Sequence, residues 1–112
     1  MTGVQTCALP ICLAEWECVV IDDGAPDDVA AAVAPFLADP RIRFIATANN
    51  GVSSARNTAI AATSAPLIAL LDGDDRFRPD YLATMTELLA GDPAIRFATC
   101  NAMLFGDRKS VV

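Results

Sequence analysis

Four short apolar runs recur along the chain, and the first three end in polar turns rich in Asp, Asn and Gly. WECVVI (residues 16–21) leads into Asp22-Asp23-Gly24. IRFIA (42–46) leads towards Asn49-Asn50-Gly51, and LIALL (67–71) leads into Asp72-Gly73-Asp74-Asp75. The fourth run is IRFATC, residues 95–100. Each has strand length, and each of the first three turns holds residues that break strands. The segments between them carry helical signals. Asp27 is placed to cap a helix over 27–38, with Asp28 favourable in its first turn and Pro35 weakening its end. Over 52–63, Val52, Ala55, Ala59 and Ala62 fall on one helical face. Pro79 suits the first turn of a third helix that ends near Ala90, with Gly91 just beyond it. LIALL is apolar on both faces, as in a strand inside a parallel sheet covered on both sides. The resulting order, β-α-β-α-β-α-β, predicts an α/β fold: a Rossmann-like, mostly parallel sheet with flanking helices. No internal repeat or low-complexity tract interrupts it.

Composition narrows the picture. The 112 residues suit one small domain, and 54% hydrophobic against 20% charged residues is enough to bury a core. The net charge of -6 argues against nucleic-acid binding and against anionic membrane surfaces, both of which need a basic face. It is compatible with a nucleotide held through a metal ion. No apolar run approaches the roughly 18–20 residues that span a bilayer, so no membrane segment is expected in this chain. The first residues lack the basic region and apolar block of a signal peptide. Cys7, Cys12, Cys18 and Cys100 have no zinc-like spacing, and there is no histidine. Cys18 and Cys100 lie in apolar runs and are expected as buried free thiols, which suits a reducing cytoplasm.

The acidic turns carry the candidate chemistry. Ligands of open parallel sheets bind beyond the carboxyl ends of the strands. Asp22 and Asp23 follow the first strand there, and Asp72, Asp74 and Asp75 follow the third. Five carboxylates at one rim repel each other unless they are solvated or share a cation. Mg²⁺ or Mn²⁺ takes one or two protein carboxylates and completes its shell with water and phosphate oxygens, so a metal-bridged diphosphate fits an acidic protein. Gly73 is expected to let the backbone turn sharply between two of these aspartates. The alternative is that both turns are solvated loop tips. A calcium loop starting at Asp72 fails, because Phe77 stands where glycine is required. No dinucleotide fingerprint or phosphate-binding loop occurs, and the lack of histidine excludes a serine-histidine triad.

Three pieces, in order, resemble the family 2 glycosyltransferases, nucleotide-sugar transferases of GT-A fold. They are WECVVIDDGAPDD, DPRIRFIATANNGVSSARNTAI and LIALLDGDDRFRPDYL, and the likeness covers about residues 16–101. It implies part of a GT-A nucleotide-binding half. Asp23, with Asp22, matches the position that hydrogen-bonds the nucleobase. Asp72 matches the first aspartate of the D-x-D turn, near ribose and diphosphate, and belongs with Asp74 and Asp75 to the implied metal-binding set. Asp74 matches the metal-contacting aspartate, with Asp75 beside it. Arg56 and Asn57 match an A-R-N signature on the donor side. Their structural alternatives are an Arg56 pair with a turn carboxylate and an Asn57 bond to backbone. Departures are small: Ala25 for Ser, Asn50 for Gly, and Thr58-Ala59 for x-Gly. Trp16, Phe44 and Tyr81 are expected as core or interface residues.

The resemblance implies inverting transfer from a nucleotide-diphosphate sugar, most commonly a UDP-sugar, to a hydroxyl of a saccharide or lipid-linked acceptor. The implied cofactor is Mg²⁺ or Mn²⁺. The implied setting is cytoplasmic, at the inner face of the membrane for the parent protein. The family's first strand is expected before residue 13 and the catalytic base after residue 106. Both termini resemble translated short-read sequencing adapters, so residues 1–12 and 107–112 are expected to be artefactual and 13–106 to be the partial domain. Two rival readings remain. A nucleotidyltransferase would need a glycine-rich basic loop near the first strand, and none is visible. A non-catalytic α/β binding module would leave the acidic turns solvated.

Overall fold

A computed structural model describes residues 15–103 and 105. The first two apolar runs form strands β1 (Cys18–Asp22) and β2 (Ile42–Ala46). They pair in parallel, from Cys18 opposite Ile42 to Asp22 opposite Ala46. A parallel pair needs a crossover, and the chain between the strands supplies one. Helix α1 (Val29–Val33) passes directly into a 3₁₀ turn, Ala34–Phe36. Helix α2 (Val52–Ala61) follows β2 and packs on β1, and α3 (Tyr81–Gly91) follows the second acidic turn. The fold is α/β, with a parallel two-stranded sheet and flanking helices.

The core is small. Val20 and Ile21 of β1, Val33 of α1, Ile42 of β2 and Ala55 of α2 are its buried apolar residues. Polar contacts close the end of the sheet where the strands begin. Arg43 on β2 donates from Nη2 to a Glu17 carboxylate oxygen at 2.9 Å and to the Ala62 carbonyl at 2.6 Å. Thr63 donates its hydroxyl to the other Glu17 oxygen. One carboxylate and one guanidinium thus tie the start of β1, β2 and the last turn of α2 together.

Several elements differ from expectation for identifiable reasons. Asp28, not Asp27, caps α1, accepting from the Ala31 amide at 3.0 Å. The helix expected to 38 tightens to 3₁₀ at Ala34, where Pro35 removes an amide donor. Helix α2 stops at Ala61 rather than 63, and the chain leaves it through a tighter turn in which the Thr63 amide donates to the Ile60 carbonyl. Helix α3 starts at Tyr81, two residues after Pro79. Gly91 is its last helical residue rather than the one beyond, and the backbone becomes extended at Asp92.

The third and fourth apolar runs form no strand among the described residues. Leu67, Ile68 and Leu70 are each nearly half exposed, and Phe97 is 81% exposed. A doubly wound sheet orders its strands 3-2-1-4, so the run at 67–71 belongs beside a strand preceding β1 rather than beside β1 or β2. No such strand stands among the described residues, and a strand without a ladder partner has nothing to satisfy its backbone. Exposure of the fourth run follows from the same lack. It also corrects the expectation for Cys100, which is exposed, while Cys18 is half-buried and burial pushes its thiol pKa up. Cys7 and Cys12 lie outside the described residues. Trp16, Phe44 and Tyr81 are each half-buried. Trp16 sits under the Arg41 guanidinium at 4.0 Å, and Tyr81 stacks on Phe77. No helix among the described residues is long and apolar enough to cross a membrane.

Candidate functional site

Both acidic turns are fastened to α2, at different heights. The first is the turn after β1. Asp22 bends back on its own turn, accepting from the Ala25 amide at 2.8 Å. Gly24 has φ +75°, which side chains rarely adopt, and a Cβ there would lie 3.1 Å from both the Cβ and the amide nitrogen of Asn49. This glycine lets the Asp22-Asp23-Gly24 turn close onto the Asn49-Asn50-Gly51 turn. Asp23 then reaches across. Its Oδ1 accepts from the Asn50 amide at 3.0 Å and from the Thr47 hydroxyl at 3.2 Å, and its Oδ2 accepts from the Gly51 amide at 2.9 Å. Gly51, at φ +89°, is the residue from which α2 springs. Asp23 therefore sits at the positive end of the α2 dipole, in amides that the helix leaves unsatisfied. Asn50 adds a side-chain bond to the Ser54 hydroxyl at 3.2 Å.

The second turn closes through the Asp75 amide, which donates to the Asp72 carbonyl at 3.0 Å. The chain does turn sharply at Gly73, as expected, but among the described residues only Gly24 and Gly51 have positive φ, so this turn needs no left-handed backbone. Arg56, five residues into the α2 region, donates from Nη2 to Asp72 Oδ1 at 2.9 Å. Its Nε is buried and has no hydrogen-bond partner. Asp74 and Asp75 are exposed. At about 1.5 Å of rise per residue, the attachment points at Gly51 and Arg56 lie about 7–8 Å apart along the helix axis.

The structure thus brings Asp23, Arg56 and Asp72 together through one helix. Asn57 is exposed on that helix and takes no part in these contacts. Thr47 was not singled out by its sequence. Its only signal is a hydroxyl directly after β2, where it faces the turn of the neighbouring strand.

Among the described residues, no three acidic, histidine or cysteine side chains gather closely enough to hold a metal by themselves. The donors present are carboxylate oxygens, the type a hard divalent cation prefers. Asp72 is already bonded to Arg56, which leaves Asp74 and Asp75 as the exposed carboxylates of the turn. One or two protein carboxylates suffice where phosphate oxygens and water complete the shell. The residues fit a cation shared with a bound diphosphate, not one caged by protein alone.

Comparison with known proteins gives the family of the chain. A family described as Glycosyl transferase family 2 matches residues 7–106. The succinoglycan biosynthesis protein ExoO of Rhizobium meliloti is 47% identical over 72 residues, covering 63% of this chain and 20% of that protein. The chondroitin synthase of Escherichia coli is 38% identical over 74 residues, covering 65% of this chain and 11% of the relative. The uncharacterized glycosyltransferase YibD of Escherichia coli K12 is 30% identical over 103 residues, covering 88% of this chain and 29% of the relative. The chain spans between a tenth and three tenths of these proteins. No solved structure gives a significant match.

Proposed function

This chain belongs to glycosyl transferase family 2, and from that premise we propose that it forms the donor side of a sugar-transfer site. Its ligand is a nucleotide-diphosphate sugar, with UDP the first nucleotide to test. The observation that carries the reading is the attachment of both acidic turns to α2, Asp23 at its start and Asp72 one and a half turns on. That arrangement offers a nucleotide two anchoring points on one rigid element.

Asp23 has three donors on its oxygens and one lone pair of Oδ2 still open, enough for a single bond from a base N–H. Asp72, with Arg56 and the neighbouring Asn57, borders the ribose and diphosphate. Asp74 would hold Mg²⁺ or Mn²⁺, with Asp75 beside it. When bound, the ion would offset negative charge on the departing diphosphate. The roles assigned here are those of the leaving-group side; deprotonating the acceptor hydroxyl is the work of a further carboxylate. The acceptor is a saccharide or a lipid-linked molecule in polysaccharide biosynthesis; one relative is named for succinoglycan biosynthesis. The parent protein works in the cytoplasm at the inner face of the membrane.

Calorimetric titration with UDP tests the proposal. Binding in the presence of Mn²⁺ that disappears when the metal is chelated supports it. Heat no different from buffer in both conditions favours the rival reading, in which Asp23 only fastens a loop and Asp74 and Asp75 are only solvated.

A further inference from the structure

We infer that Arg56 is a positioning residue. It orients the Asp72 carboxylate at the rim and does not itself bind the donor's phosphates. The inference rests on the proposed donor site and adds a division of labour within it.

Three observations on the page point this way. The Arg56 guanidinium spends Nη2 on Asp72 at 2.9 Å. Its Nε is buried while the side chain as a whole stays about a third exposed, so the inner end of the guanidinium is enclosed and the Asp72 bond holds its tip. The residue before it, Ala55, is buried against the sheet, so the backbone that carries Arg56 is fixed as well. Asp72, by contrast, lies on a stretch with no strand ladder to hold it. Its turn is closed by a single backbone bond, from Asp75. Arg56 is therefore the link between this loosely held turn and the packed βαβα core. It also neutralises Asp72, which leaves the cation to Asp74 and Asp75.

The same helix carries the Asp23 anchor at its start. Through α2, the distance between the base-side and diphosphate-side carboxylates is set by helical rise rather than by loop conformation.

A double-mutant cycle on the full chain separates positioning from direct contact. UDP affinity in the presence of Mn²⁺ is measured for the wild type, Arg56→Gln, Asp72→Asn and the pair. A positioning residue predicts that Arg56→Gln weakens binding about tenfold, that Asp72→Asn weakens it at least as much, and that the pair is no worse than Asp72→Asn alone. Arg56→Lys, which keeps the charge without the fork, recovers part of the loss. Losses that multiply in the pair overturn the inference and make Arg56 a ligand contact. A second readout needs no ligand. Guanidinium rotation of Arg56 by nitrogen NMR is slow in the wild type and fast in Asp72→Asn; fast rotation already in the wild type overturns the inference. A wild type with a slow guanidinium and no UDP binding overturns the proposed function itself, and the donor-side purpose of the pair with it.

Discussion

A charged side chain near a turn matters through what it is bonded to, and Asp39 shows this away from the candidate site. Its carboxylate accepts from Arg41 Nε and Nη2, the latter at 2.7 Å, and from the Arg41 amide. These bonds favour the ionised form and lower its pKa from the usual 3.8 to about 2. Because the folded value is depressed, the contribution is present above the ordinary carboxylate pKa and is lost as pH falls through about 2. A carboxyl-carbon NMR titration should give Asp39 a midpoint of about 2, moving back up in Arg41→Gln. A wild-type midpoint at the ordinary value would contradict the pairing. Residue types at the site were legible for similar reasons: paired aspartates beside glycine announce a polar turn at a strand's end. Their bonding was not. Nothing local to Asp23 says that Thr47, Asn50 and Gly51 will fill its oxygens from 24 to 28 residues away.

Among the elements, the first half of the chain reads well from its pattern and the second half does not. Strands β1 and β2 and helix α2 carry both a local signal and a partner within the described residues, and all three form within two residues of the bounds their pattern predicts. The runs at 67–71 and 95–100 carry an equally strong apolar signal. A strand is a relation between two segments, however, and these runs find no neighbour to pair with among the described residues. Helices need no such partner for their backbone bonds, so α3 forms although none of its residues is fully buried. Two glycines test the turn and helix assignments by opposite signs. Gly24→Ala should destabilise by about 1–3 kcal/mol, through its positive φ and the crowding at Asn49. Gly91→Ala, at a helix end with open space around it, should stabilise by about 0.4–1 kcal/mol. Denaturant titration of both variants checks this. Equal effects of one sign would count against the closed turn after β1.

For the whole molecule, the outstanding feature is apolar surface. Leu67, Ile68, Leu70, Leu88, Ile95, Phe97, Met103 and Phe105 are all more than a third exposed, and most fall in or beside the two runs that pair with nothing. Unpaired strands with apolar faces invite association between copies. At micromolar concentration the chain should elute from a sizing column as a broad, concentration-dependent distribution. A sharp monomer peak with a cooperative melt would show that those residues find cover the structure does not provide. Helix α2 and the Asp23 anchor lie in the packed half, whereas Asp72 follows the unpaired run and is tied to that half through Arg56.

The central claim is that the rim carboxylates hold a divalent cation together with a nucleotide diphosphate. Electron paramagnetic resonance of Mn²⁺ reads this directly, because the free-ion signal falls only when the ion is bound. With the chain alone the signal should change little. It should fall further when UDP is added than UDP causes by itself, and Asp74→Asn should abolish that extra loss. A signal that falls equally with and without UDP, or one that Asp74→Asn leaves untouched, would contradict the account.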